Sequence, residues 1–179
     1  LELFILPVSA SAENSNPIRL TNDPAADYAP AWSSKGRMIA FVSDRSGDNE
    51  IWLADLDKID DRFINLSRSS HTLDRYPEWS PDGSQLAWAS SGSGYQTIQI
   101  LDLAQPEARP IEASTGDQVA WDPTGQMLVT ALNTPNQVYL SGLYLQDNGL
   151  MLPPLALNGA INGITWSPYP LPETLPATF

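Results

Sequence analysis

An all-β fold, built from a repeated four-stranded antiparallel sheet, is what this sequence predicts, on three observations. Trp recurs in one setting, as "APAWSSKG" at Trp32, "YPEWSPDG" at Trp79, "QVAWDPTG" at Trp121 and "GITWSPYP" at Trp166, with spacings of 47, 42 and 45 residues. Between these points lie short runs rich in Ile, Val, Phe and Trp, bounded by Gly, Asp, Ser and Asn, which is the pattern of strands and tight turns. No segment shows the 3.6-residue periodicity of an amphipathic helix. Units of 42–47 residues holding four strands each suit the blades of a β-propeller.

The elements follow in chain order. "LELFILPVSASA" opens the sequence, and Leu3 to Val8 followed by Ala10-Ser11-Ala12 has the outline of a secretory signal core and cleavage site. The repeat predicts otherwise. "ELFILPV" aligns with "EIWLADL", placing Glu2 on Glu50, Leu3 on Ile51, Phe4 on Trp52 and Val8 on Leu56, and "PIRLT" aligns with "FINLS". The start therefore reads as the third and fourth strands of an earlier blade. The first full repeat runs through "PAWS", the turn "SKG", "RMIAFVS", the loop "DRSGDN", "EIWLADL" and "FINLS". Shifting by 47 residues superposes twelve identities in the thirty positions from Asp27 to Leu56, among them Asp27 on Asp74, Pro30 on Pro77, Ser43 on Ser90 and Gly47 on Gly94. A shift of 42 carries Trp79, Pro81, Gly83, Leu86 and Leu103 onto Trp121, Pro123, Gly125, Leu128 and Leu145. Gly36, Gly83 and Gly125 each end the first turn, where a positive φ is cheap only for glycine.

These alignments predict one propeller region over 1–179: a part-blade at 1–21, blades at 22–67, 68–114 and 115–157, a part-blade at 158–168 and a Pro-rich tail at 169–179. Three full blades and two part-blades give an expected fifteen strands. The expectation is an arc of a larger propeller. The rival is a small closed ring in which "ELFILPV" completes the sheet begun by "GITWSP".

"YPEWSPDGSQLAWAS" and "IAFVSDRSGDNEIWLADLD" resemble the WD-repeat-like propeller repeat of the TolB family, which also occurs in the propeller domains of prolyl-oligopeptidase-type enzymes. The repeat departs from that pattern at Ser34-Lys35, at Asp122 and Thr124, and at Trp166, where W-S-P is kept but D-G is lost. The resemblance covers residues 2–168. It implies a non-enzymatic scaffold that binds protein through its loop face, in an extracytoplasmic bacterial setting. It equally accommodates the substrate-gating propeller of a serine peptidase whose catalytic domain lies outside this sequence, or the sensor module of a membrane-bound signalling protein.

Composition narrows the partners. Nine basic residues against 21 acidic ones give a net charge of −12, which argues against nucleic acid and against anionic membranes, since both reward Lys and Arg. No run approaches the ~20 apolar residues of a membrane-spanning helix. There is no Cys, which excludes disulfides and thiolate metal sites. A protein partner is the expectation, with no cofactor.

Candidate chemistry is sparse. His71 is the only histidine and lies in the polar stretch "SRSSHTLDRYP", with no G-x-S-x-G elbow anywhere in the chain, so no catalytic triad is expected. "DRSGDNE" gathers carboxylates from Asp44 to Glu50 but lacks the D-x-D-x-D-G spacing of a Ca²⁺ loop, and its counterpart "SGSGYQ" has no acid. Neither a metal site nor a cofactor site is predicted. Asp27 and Asp74 precede the Pro-x-Trp strand at the same offset, which predicts a structural role, capping loop backbone or pairing with an Arg such as Arg45. Trp32, Trp79, Trp121 and Trp166 are expected to wedge between blades. In a propeller the loops joining second to third and fourth to first strands share one face. That face would carry Asp27, Tyr28, Asp44, Arg45, Asp74, Arg75 and Tyr76, an acidic surface with interspersed Tyr and Arg of the kind used for protein contact.

Overall fold

Three antiparallel four-stranded meanders and one two-stranded ribbon make up the chain, as seen in a computed structural model that describes residues 1–7, 16–105, 107–146 and 149–167. Every regular element among the described residues is a strand. The ribbon pairs β1 (Phe4–Ile5) with β2 (Ile18–Arg19). Blade one holds β3 (Asp27–Trp32), β4 (Met38–Ser43), β5 (Glu50–Asp55) and β6 (Phe63–Asn65). Blade two holds β7 (Leu73–Trp79), β8 (Gln85–Gly92), β9 (Tyr95–Asp102) and β10 (Ile111–Thr115). Blade three holds β11 (Gln118–Trp121), β12 (Met127–Asn133), β13 (Gln137–Tyr144) and β14 (Leu155–Asn158). Strands pair in sequence order within each blade, so every connection is a hairpin.

The second strands of blades one and two carry apolar residues on both faces because both faces are covered. In "MIAFVS", Ile39 and Phe41 turn toward the ribbon and pack with Leu3, Leu20 and Ala54. Ala40 and Val42 turn the other way, into a cluster with Ile51, Leu53, Trp79, Leu86 and Trp88 from blades one and two. Blade two repeats the arrangement: Ala87, Ala89, Ile98 and Ile100 meet Val119, Trp121, Leu128 and Leu143 of blade three. Strand alternation thus assigns each residue to one inter-blade seam, and slipping the register by one residue would exchange the two seams.

The turn after each Trp is tightened by glycine. Gly36, Gly83 and Gly125 have φ of 85°, 70° and 73°. Gly83 is doubly constrained, since a Cβ there would meet the Cβ of Lys35 and the Oγ of Ser33 at 3.1 Å, in the corresponding turn of blade one. Hydrogen bonds repeat with the same period. The N–H of Asp74 donates to the carbonyl of Asn49 at 2.9 Å, and that of Asp27 to Leu1 at 3.1 Å. The N–H of Ile51 donates to Ser67 Oγ at 3.0 Å, and that of Leu3 to Thr21 Oγ1 at 2.9 Å. The ribbon therefore stands to blade one as the outer half of blade one stands to blade two.

Four expectations need correction. First, the Trp residues do not all wedge. Trp79 and Trp121 are buried, and each donates its indole N–H to the innermost strand of the preceding blade, to Ala31 at 3.0 Å and Glu78 at 3.1 Å. Trp32 is 53% exposed, because among the described residues no innermost strand lies beside β3 on that side to receive it. Second, Trp166 is only half-buried and lies outside any strand. Its segment is instead tied to blade three through Ile161, which exchanges backbone bonds of 3.0 Å with the Asn133 side chain. Third, fourteen strands form among the described residues rather than fifteen, since "GITWS" adds none. Leu3 bonds to Leu20 and to Thr21, and shares no sheet with Trp166, so the described residues do not form the small closed ring. The tail at 169–179 lies outside the described residues.

The fourth correction concerns where the inner strands begin. Asp27, Tyr28, Asp74, Arg75 and Tyr76 belong to β3 and β7, not to loops. The register to the second strand slips between Tyr28 and Ala31, and again between Arg75 and Glu78. Each slip is a bulge containing a proline, Pro30 or Pro77, that has no N–H to give to the ladder. The residue before it, Ala29 or Tyr76, sits at φ 48° or 56°. Blade three has Val119 where the repeat has Pro77, and β11 pairs with β12 without interruption.

Candidate functional site

Asp27 and Asp74 are the same residue in two successive blades, and both are almost wholly buried at 1% exposure. A buried carboxylate must be hydrogen-bonded or paired, or burial pushes it toward its neutral form. Blade one supplies a full answer. Arg45 Nη2 bridges both oxygens of Asp27 at 2.8 Å, and Arg45 Nε donates to Ser43 Oγ at 2.9 Å. The guanidinium also lies over three rings, 4.8 Å from the centroid of Trp52, 5.1 Å from Phe63 and 5.4 Å from Phe41. The ion pair sits between the ribbon and blade one, with the Asp27 side chain fully enclosed.

Blade two keeps the acid and loses the base. Ser90 occupies the place of Ser43, but Gly92 occupies that of Arg45. A Cβ on Gly92 would lie 2.8 Å from Thr72 Cγ2 and 2.9 Å from the carbonyl oxygen of His71, so the incoming loop takes the space. Asp74 Oδ1 accepts from Ser90 Oγ at 2.6 Å and from Thr72 Oγ1 at 3.2 Å. Asp74 Oδ2 makes no hydrogen bond. Burial raises the pKa of Asp74, and the hydroxyls of Ser90, Ser67 and Thr72 only partly counter it. The carboxyl lines a cleft of about 850 Å³ between the end of blade one and blade two, together with Trp88, Ser90, Gln99, Asn65 and Pro110.

The predicted loop-face residues divide into separate groups. Tyr28, Arg75 and Tyr76 line one recess of about 250 Å³ between the innermost strands of blades one and two. Burial raises the Tyr28 hydroxyl pKa, and the Arg75 charge opposes this. Arg75 and Tyr76 also line a neighbouring recess of about 160 Å³ with Gln96 of β9, Gln118 of β11 and Asp117 just before it. Tyr76 is 53% exposed and Tyr95 75%. Asp44 is exposed and accepts from the N–H of Ala26 at 2.8 Å, pinning the approach to β3. Asp27 with Arg45, and Asp74 alone, face inter-blade seams rather than this surface.

His71 is exposed in the segment between β6 and β7. Among the described residues no three His, Cys, Asp or Glu side chains converge as a metal site would require. Glu50 of "DRSGDNE" is buried and accepts hydrogen bonds from Ser46 and Asn65, so it braces the blade.

The sequence matches the TolB beta propeller domain family over residues 2–170. The chain belongs to that family. Among solved structures, TolB from Acinetobacter baumannii aligns with a TM-score of 0.62 and 23% identity, covering 80% of this chain and 35% of that one. A TolB-type structure from Agrobacterium tumefaciens gives 0.61 and 19%, covering 88% of this chain and 57% of that one. Prolyl oligopeptidase B from Galerina marginata gives 0.51 and 13%, covering 73% of this chain and 23% of that one. This chain therefore spans less than two thirds of either TolB structure, and likeness at these identities is likeness of fold. No curated protein sequence matches it.

For this TolB-type propeller, the features missed in the sequence are the Asp74 cleft and its lining by Trp88 and Gln99. The signal was present. The same shift of 47 that places Asp74 on Asp27 places Gly92 on Arg45, Trp88 on Phe41 and Gln99 on Trp52. A repeated acid whose base is not repeated marks a position where one blade is complete and the next is open.

Proposed function

We propose that this chain is a non-enzymatic protein-binding scaffold, acting through the face that carries Tyr28, Arg75, Tyr76 and Tyr95. The observation that supports this most is Tyr76. It is a large aromatic held at φ 56° on a bulge, 53% exposed, beside Arg75 and a recess lined by Tyr28. Tyr and Arg are the side chains that anchor protein interfaces, and a bulge on a rigid blade presents them with little entropy left to lose. The net charge of −12 favours a partner with basic character and disfavours nucleic acid. Among the described residues no helix is long and apolar enough to cross a membrane. Membership of the TolB propeller family supports an extracytoplasmic setting in a bacterium.

Site-specific photo-crosslinking in the source cells tests this reading. A crosslinking residue at Tyr76 or Arg75 should yield a discrete protein adduct, whereas one at Lys35 or Asp82, in the turns after the first strands on the opposite face, should not. Equal labelling from both faces would defeat it. So would peptidase or esterase turnover by this chain that is lost on His71→Ala. A second reading, the gating propeller of a prolyl-oligopeptidase-type peptidase, draws on the fold likeness to the Galerina enzyme. A G-x-S-x-G elbow elsewhere in the same reading frame would favour it over the first.

A further inference from the structure

We propose that the cleft between blades one and two is a receptor for an arginine side chain presented by an extended peptide. The protein contains its own template for this complex. In blade one an arginine, Arg45, lies among Phe41, Trp52 and Phe63 and neutralises the buried Asp27. In blade two the corresponding positions are Trp88, Gln99, Pro110 and Asp74, the arginine is Gly92, and a cleft of about 850 Å³ opens there. That volume is within the range of ligand sites, about 300–1,000 Å³.

Two side chains that line the cleft each carry a buried polar atom without a hydrogen-bond partner, and together they define the ligand. Asp74, 1% exposed, has a free acceptor in Oδ2. Trp88, also 1% exposed, has a free donor in its indole Nε1–H. A cation satisfies the first and a carbonyl the second, and a peptide arginine carries both. Guanidinium suits the site better than ammonium. It is more weakly hydrated, it is planar enough to stack on an indole as Arg45 does on Trp52, and its several N–H groups allow it to bond Gln99 as well as Asp74. The charges bordering the cleft are Asp102 and Glu107 against Arg68 and Arg109, all at its margins. Arg68 already donates through Nε to the Asn65 carbonyl at 3.1 Å. The site is separate from the recess of Tyr28 and Tyr76, and the proposal does not depend on that surface binding anything.

The experiment is a titration of the whole chain with the tripeptide N-acetyl-Gly-Arg-Gly-amide, followed by the indole N–H resonance of Trp88 and by tryptophan fluorescence. Saturable binding with a millimolar or tighter Kd is expected, with the Trp88 resonance among the most shifted. Replacing arginine by the isosteric but neutral citrulline should weaken binding by about tenfold or more, and Asp74→Asn should do the same to the arginine peptide. The lysine peptide should bind more weakly than the arginine peptide. No saturable shift up to about 10 mM peptide would overturn the proposal. So would equal binding of the arginine and citrulline peptides, a comparison that needs no variant to fold. Unchanged affinity in a folded Asp74→Asn protein would place the peptide elsewhere and overturn it too.

Discussion

Blades one and two share twelve of thirty residues over their first three strands, yet they treat one buried aspartate in opposite ways. In blade one, Asp27 is closed by Arg45 and three aromatic rings. In blade two, Asp74 accepts hydrogen bonds from Ser90 and Thr72, but one oxygen makes none and a cleft lies beside it. The lesson is that repetition preserves the backbone frame more faithfully than the electrostatics hung on it. The bulge, the Pro and the positive φ recur at Ala29 and Tyr76, because they follow from chain geometry. Neutralisation of the carboxylate depends on one side chain and is lost with it.

The largest expected effect separates the two blades through their tryptophans. Trp79 fills the seam and donates to Ala31, so Trp79→Ala should cost about 3–5 kcal/mol. Trp32, the same repeat position but 53% exposed, should cost under about 1 kcal/mol on the same change. Equilibrium urea unfolding of both variants checks this, and equal losses would mean that Trp32 is packed against something not seen here. Next comes the ion pair. Arg45→Met keeps much of the side-chain volume against the rings but strands Asp27, and should cost about 2–4 kcal/mol at neutral pH. A loss that disappears in the Arg45→Met, Asp27→Asn double variant would show that stranding, not lost packing, is the cause.

A pH series sharpens the comparison further. Because Asp74 titrates above its ordinary value, its ionisation opposes folding: the stability it contributes is complete below that ordinary value, 3.8, and is lost as pH rises through the raised folded pKa. Asp74→Asn should therefore flatten the pH dependence on the neutral side and leave the protein near pH 3 almost unchanged. Asp82 has the opposite sign. Hydrogen bonds from Ser80 and Ser84 lower it from 3.8 to about 2, so its contribution is present above 3.8 and is lost as pH falls toward 2. It is exposed, and Asp82→Asn should cost well under about 1 kcal/mol, the smallest of these effects.

Much of this architecture was legible in the sequence, because the repeat carries both the strands and their register. Matching Leu3 to Ile51 and Thr21 to Ser67 anticipated a ribbon whose hydrogen bonds copy those of blade one. Gly36, Gly83 and Gly125 announced their own φ. What could not be read is what depends on neighbours. Trp32 has the same local sequence as Trp79, but burial of an inner-strand Trp needs a strand on its far side. The bulges were hidden because Pro30 and Pro77 read equally well as loop residues until the ladder on either side is known, and so Asp27 and Asp74 were placed in loops. Trp166 keeps W-S-P but lacks D-G, and the strand expected there does not form. The open cleft was visible only as an unmatched pair of columns, Arg45 over Gly92, and its meaning required knowing that both aspartates are buried.

The central claim is that two equivalent buried carboxylates are energetically opposite, one supporting the fold and one opposing it. The direct test is urea unfolding at pH 7 of Asp27→Asn and Asp74→Asn, each removing one charge without removing volume. The account predicts opposite signs: Asp27→Asn destabilises by about 2–3 kcal/mol because Arg45 loses its counter-charge, and Asp74→Asn is neutral or stabilises by up to about 1 kcal/mol because no charge need be buried. Two losses of similar size would contradict it, and would mean that Asp74 has a partner as good as Arg45.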